Sequence, residues 1–193
     1  MRTSLPHAPD FSALEAAAPE FADRQNQILA QIGTLGLAWS NNESVFVYVL
    51  MILLETDEVS AAIVFATLNT TRARIDLIRR LATVKISDPA IAQTLTRIIR
   101  RFDACTNVRN ELNHCVFTLN SRGEITHTQT MRVEERKGAL SLGAVRPMDD
   151  RRLKEITEAN KQLKRLNRDV WDFLPVLKRH IETRNGSTPA PKA

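Results

Sequence analysis

Six consecutive residues, Arg109-Asn110-Glu111-Leu112-Asn113-His114, bring together a guanidinium, two side-chain amides and an imidazole. A guanidinium grips a phosphodiester with a planar fork and does not titrate. An imidazole gives or takes a proton near neutral pH. RNA carries its own nucleophile, the 2′-hydroxyl. Its cleavage therefore needs a base, an acid and charge stabilisation, and in principle no metal. One imidazole per chain supplies one proton-transfer group, and two chains facing each other across a two-fold axis would supply two.

The hexapeptide must sit at the end of a helix. Asp88-Pro89 is a start signal, with acid at the cap and proline at the first helical position. From there Ile91, Leu95, Ile98, Phe102, Cys105, Val108 and Leu112 step by three or four residues. At about 100° per residue, Asn113, Asn110 and His114 fall within about 140° of Arg109, and Thr106, Asp103 and Asn107 share that arc. A merely solvated face is more often Lys, Glu and Gln. Asn, Thr, His and Arg are better hydrogen-bonding groups, and most are poorer helix formers. The plainer alternative is local: a His in the last turn suits the helix dipole, and Asn residues close helices.

The flanking elements read as further helices. Residues 1–18, with Pro6 and Pro9, read as a flexible arm. Pro19-Glu20 opens a helix with Ile28, Ile32, Leu35 and Trp39 on one face, weakened in its middle by Gly33 and Gly36. Val45 to Leu54 is apolar throughout, too long for one strand, and reads as a helix with a face to spare for a dimer or for the other helices of a bundle. Thr56 or Asp57 caps a helix expected to run to about Val84. After His114, strand-like alternation at Val116–Leu119, Ile125–Val133 and Ala139–Val145 predicts a two- or three-stranded antiparallel hairpin insert over about 115–146. Asp149-Asp150 starts the last long helix, which Pro175 is expected to bend. Residues 185–193 read as a disordered tail. The expectation is a mainly α protein: one domain over 19–184, a four- to five-helix bundle with a small β-hairpin insert before the last long helix.

At 193 residues and 43% hydrophobic, the chain has material for one ordinary domain with a sizeable core. The ten apolar residues from Val45 fall short of the roughly 20 that a membrane span needs, so no membrane partner is expected. Two cysteines make no disulfide framework, and the first residues show no basic-then-apolar signal. Both point to the cytoplasm. Charge is unevenly placed: two cations against eight carboxylates over residues 1–60, net −6, and nine against three over 72–109, net +6. A basic middle attracts a polyanion or simply solvates a helix face. Arg72, Arg100 and Arg101 are the candidate contacts to an RNA backbone.

Other chemistries fit less well. Cys105, His114 and Cys115 match no zinc spacing and lack a fourth ligand, so no metal and no cofactor are expected. Neither a glycine-rich phosphate loop nor a nucleophile elbow is present. His7, His127 and His180 have no catalytic partner nearby in sequence.

An Arg followed by a polar residue, with a His after four intervening residues near a helix end, resembles the motif of the HEPN superfamily (higher eukaryotes and prokaryotes nucleotide-binding). The matching residues are Arg109, Asn110 and His114. The resemblance implies a helical bundle, a homodimer with both motifs on a shared cleft, and metal-independent endoribonuclease activity. Members often act in toxin–antitoxin, antiviral defence or RNA-processing systems, some with a cognate antitoxin protein, and others only bind RNA or nucleotide. On this reading His114 is general acid or base, Arg109 binds the scissile phosphate, Asn110 orients His114, and Asn113 contacts substrate. The insert after His114 departs from the simpler turn into the last helix, and would cover the cleft, shape access to it or block it. Two rivals remain: a non-catalytic RNA- or nucleotide-binding module of the same fold, and a helical interaction protein working through Val45–Leu54.

Overall fold

The computed structural model describes residues 22–131, 133–136 and 138–186. Among these are five helices: α1 (Ala22–Leu54), α2 (Glu58–Thr67), α3 (Thr71–Lys85), α4 (Pro89–Asn113) and α5 (Asp150–Gly186). Five short strands lie between α4 and α5: β1 (Cys115–Leu119), β2 (Ile125–Thr130), β3 (Val133–Arg136), β4 (Ala139–Leu142) and β5 (Val145–Pro147). The fold is mainly α, with the small antiparallel sheet before the last long helix. The expected arm, 1–18, lies outside the described residues, as does the tail beyond Gly186. Asn185 and Gly186, expected in the tail, belong to α5.

The chain forms two compact units. A mixed unit takes residues up to Thr34 and Val108–Glu158; a helical unit takes Leu35–Asn107 and the residues from Ala159 on. No linker marks the division, because α1, α4 and α5 contribute residues to both.

The helical unit is built on an aromatic cluster. Phe102 of α4 is fully buried, stacked on Trp39 at 5.7 Å and tilted against Phe46 at 5.1 Å between ring centroids. Leu50, Leu53, Ile75 and Leu163 of the same unit are also fully buried. Polar ties set the helices in register. Trp39 Nε1 donates to Thr106 Oγ1 at 2.9 Å, and the buried Asn42 amide donates to the carbonyls of Ala38 at 2.7 Å and Leu163 at 3.0 Å.

The two stretches expected as separate helices before residue 55 are one, α1, of 33 residues. Nothing between them removes a backbone donor, and the two glycines cost less than burial of the apolar face returns. The helix ends where Glu55 takes φ 55°, a left-handed value usual for glycine. There Thr56 N–H reaches Met51 O and Glu55 N–H reaches Ile52 O, both at 3.2 Å, closing the last turn. Lys85 Nζ holds the Glu55 carboxylate at 2.6 Å.

In the other direction, the helix expected to run to Val84 is two. Leu68 is extended, and Thr70 caps α3 by accepting from Ala73 N–H at 3.1 Å. Arg74 reaches back to close α2, its Nε donating to the carbonyls of Phe65 and Leu68 at 3.0 and 2.9 Å. Its guanidinium lies over the Phe65 ring at 4.6 Å and pairs with Glu43 at 3.1 Å.

In the mixed unit, β1, β2 and β5 form one antiparallel sheet with β2 in the centre. The third expected strand is divided. Its first part, β4, pairs with β3 in a separate two-stranded ribbon, and β5 alone returns to the sheet. Gly123, at φ 77°, makes the β1–β2 turn, in which the Asn120 side chain accepts from Arg122 and Glu124 N–H at 3.0 Å each.

Two substitutions separate packing from propensity. Phe102→Ala is expected to cost about 3–5 kcal/mol, the range for emptying a buried aromatic site. A Cβ at Gly36 would meet nothing within 4 Å, so Gly36→Ala is expected to stabilise α1 by up to about 1 kcal/mol. Urea unfolding curves of both variants check the opposite signs.

Candidate functional site at the end of helix α4

The last turn of α4 is held at its backbone and open at its side chains. His114 N–H donates to Asn110 O at 3.1 Å, continuing the helical pattern, and His114 O accepts from Met131 N–H at 3.0 Å, just past β2. The sheet thus grips the His114 backbone, while its side chain stays exposed. Asn110 and Asn113 are exposed as well. Neither the Asn113 amide nor the His114 imidazole has a hydrogen bond among the described residues. Arg109 is half-buried, and its Nη1 donates to Asn110 Oδ1 at 2.9 Å. Asn110, given the role of orienting His114 on the sequence, has its side-chain oxygen on Arg109. This contact aims the guanidinium rather than the imidazole.

The insert does not bury His114. It continues directly into β1 at Cys115, with Cys115↔Thr130 as the first register pair. Cys115 and Cys105 are both free thiols, and burial raises both above the ordinary cysteine value.

Glu111, inside the hexapeptide, was assigned nothing on the sequence. It belongs to a four-membered ionic cluster. Arg146 of β5 places Nη1 at 2.9 Å from both Glu111 carboxylate oxygens and Nη2 at 3.0 Å from Glu155 Oε2. Arg152, 2% exposed, reaches Glu155 at 2.7 Å and Glu111 at 3.1 Å. Two guanidinium and two carboxylate groups alternate, and their formal charges cancel. Only Arg152 and Glu155, three apart on one helix, carried a readable signal. Glu111 and Arg146 lie 35 residues apart in sequence.

The remaining sequence candidates belong to the helical unit. Arg72 has 92% of its side chain exposed and stands 3.8 Å from Asp76. Arg101 pairs with Asp169 of α5, and Arg100 is exposed. Two members of the expected polar arc are engaged within that unit: Asp103 by Arg79, and Thr106 by Trp39. His180 accepts from Ser87 N–H at 3.2 Å, and His127 is exposed on β2. His7 lies outside the described residues. Among the described residues, no group of three His, Cys, Asp or Glu side chains is arranged to hold a metal ion.

By length and composition alone, α1 would also cross a membrane, at mean hydropathy 1.4 over its most apolar window. Leu35, Trp39, Phe46, Val49, Leu50 and Leu53 are buried within the helical unit, as the residues of a core helix are.

No family model matches the chain, nor does any curated protein or any solved structure.

The ionic cluster has a pH signature. Burial pushes the Glu155 carboxyl up, but the Arg152 hydrogen bond and charge, with Arg146, outweigh it and hold its pKa below the ordinary 4.5. A lowered carboxylate stabilises the fold fully above its unfolded value and loses that contribution as pH falls through the folded one. Acid unfolding of the parent should therefore steepen below about pH 4.5, and Glu155→Gln should flatten that limb. Thermal melts from pH 7 to pH 3 read the difference.

Proposed function

We propose that the protein is a metal-independent endoribonuclease of HEPN type, cutting RNA by attack of the 2′-hydroxyl on its own phosphodiester. The observation that carries the reading is an exposed, uncommitted imidazole on a fixed backbone, with the Arg109–Asn110 pair one turn behind it on the same helix end. His114 gives or takes the proton, and Arg109, its guanidinium aimed by Asn110, binds the non-bridging phosphate oxygens. Asn113 is free to contact the substrate. A second chain supplies the second imidazole, so the working unit is a homodimer.

The reading is consistent with what the β insert does in the mixed unit. A proton-transfer group needs a fixed position and an open face, and the sheet supplies the first without removing the second. Such an activity suits a toxin or defence role, in which cleavage of cellular RNA arrests growth and an antitoxin protein restrains it.

Because His114 is exposed, His114→Ala should leave the melting temperature within a degree or two. It should lower cleavage of a single-stranded RNA by about 100-fold or more, the usual share of a general acid–base group. Arg109→Ala should do the same, and the parent should leave a 2′,3′-cyclic phosphate end and spare the all-deoxy oligonucleotide. A His114→Ala protein cutting as fast as the parent, both free of contaminating nuclease, would sink the assignment. RNA binding with no products from the parent would point to a non-cleaving module.

A further inference from the structure

We infer that the helical unit carries a separate binding site for single-stranded nucleic acid, with a base against Trp171 and the backbone along a cationic stripe on α5. The inference goes beyond the cleavage chemistry assigned to His114 and does not depend on it.

The stripe comes from spacing. Lys161, Lys164, Arg165 and Arg168 stand at i, i+3, i+4 and i+7, which puts them on one helix face within about 100° of arc. All four are exposed, and none makes an ion pair among the described residues. Arg74, Arg79 and Arg101 of this unit are engaged, with Glu43, with Asp76 and Asp103, and with Asp169, while Arg80, Arg97 and Arg100 are exposed on α3 and α4. Asp169, next to Arg168 in sequence, is thereby taken up by Arg101, and Glu158 stands three residues before Lys161. Asp172, one turn past Arg168, is exposed and closes the stripe at its C-terminal end.

One turn beyond Arg168 and two beyond Lys164, Trp171 is 48% exposed. It is tilted against Tyr48 of α1 at 5.3 Å between centroids, and together they line a groove of about 480 Å³. Asn41, Ser44 and Asn167 bring hydrogen-bonding groups to the same groove. Its carboxylate, Glu58, accepts from the Tyr48 hydroxyl at 3.2 Å.

A half-exposed indole at the mouth of a groove offers a flat apolar face for a ring to stack on. The cations beside it select an anionic cover. An apolar flat face, amides for base edges, and four cations roughly 4.5 to 10.5 Å along one helix together match a strand of stacked bases and spaced phosphates. A duplex, whose bases are internally stacked, would use the cations but not the tryptophan.

The chain has two tryptophans, and Trp39 is buried at 4% exposure, so fluorescence reports on Trp171. Titration with a 12-nucleotide 2′-O-methyl RNA, which the proposed chemistry cannot cut, keeps binding separate from cleavage. The expected result is quenching that saturates in the parent and in His114→Ala alike. Lys164→Gln/Arg168→Gln should weaken binding at least tenfold and reduce the salt slope by about 1.4, two phosphate contacts at about 0.7 each. Trp171→Leu should abolish the quench and weaken binding, followed by anisotropy of a labelled strand, about tenfold with the salt slope kept. Both variants are substituted at the surface, and matched melting curves confirm that they fold. Unchanged affinity in both variants overturns the site. So does binding of the parent to anionic vesicles, phosphatidylserine with phosphatidylcholine, but not to the oligonucleotide.

Discussion

Arg152 cannot be where it is without Glu111 and Glu155. A guanidinium with 2% exposure has lost its water, a penalty of several kcal/mol for a lone ion. Two carboxylates offset that loss, Glu155 accepting from Nη1 and Glu111 lying 3.1 Å from Nη2. Arg146 shares both of them, while Nε and Nη2 of Arg152 are buried without a hydrogen-bond acceptor. A packed apolar cluster would stabilise the mixed unit as well or better. What the ions add is register. Arg146 lies opposite Thr128 across β5 and β2, so a slip by one residue would turn it to the other face and leave Arg152 with two carboxylates unshared. The cluster thereby fixes the end of α4, β5 and the start of α5 against each other. Because β2 lies between β1 and β5, it also holds the segment whose Met131 amide grips His114.

The helical unit solves a different problem. Its first long helix is apolar enough to pass for a membrane span, and such a helix in water must be covered on most of its faces. The aromatic cluster covers one face, and α5 covers another through the Asn42 amide bonded to Leu163 O. Val45, Phe46, Val49, Leu50, Ile52 and Leu53 are buried on one side of Val45–Leu54, while Val47, Tyr48, Met51 and Leu54, on the spare face that the sequence offered to a partner, are half-buried. Among the large apolar residues left exposed are Leu37 on α1, Val59 and Ile63 on α2, Val84 on α3, and Trp171 and Val176 on α5.

Much of this architecture was legible where the signal is local. Asp88-Pro89 starts α4 as expected, with Asp88 Oδ1 accepting from Ala90 N–H at 2.7 Å. Asp149 caps α5 from Arg152 N–H at 2.8 Å. The alternating residues after His114 form strands. What escaped depends on contacts remote in sequence. The break at Leu68–Thr70 needs Arg74 to close α2, and the joining of Ile28–Trp39 with Val45–Leu54 needs a core that outweighs two glycines. The division of the last expected strand into β4 and β5 is set by pairing, β4 with β3 and β5 with β2, which no single segment encodes. At the candidate site, residue types and helix position were readable, but the contact between Asn110 and Arg109 was not.

Charge illustrates the limit most clearly. Counting residues put the basic excess in the middle of the chain, over 72–109. The structure gives Arg74, Arg79 and Arg101 of that segment to carboxylates, and sets Arg72 within 3.8 Å of Asp76. Those charges hold helices together and present a weakened field outward. Over α5 the sequence has ten Lys and Arg against six Asp and Glu, and of those acids Glu155 is turned into the ionic cluster and Asp169 toward Arg101. Pairing those two acids elsewhere leaves Lys161, Lys164, Arg165 and Arg168 facing fewer counter-charges, with Asp172 at the C-terminal end of the stripe and Glu158 ahead of it. A polyanion responds to the potential that remains after internal pairing, not to the composition of a segment. The long last helix therefore offers a polyanion four exposed cations on one face with the half-exposed tryptophan beside them, while Arg80, Arg97 and Arg100 of the arginine-rich middle stay exposed on α3 and α4.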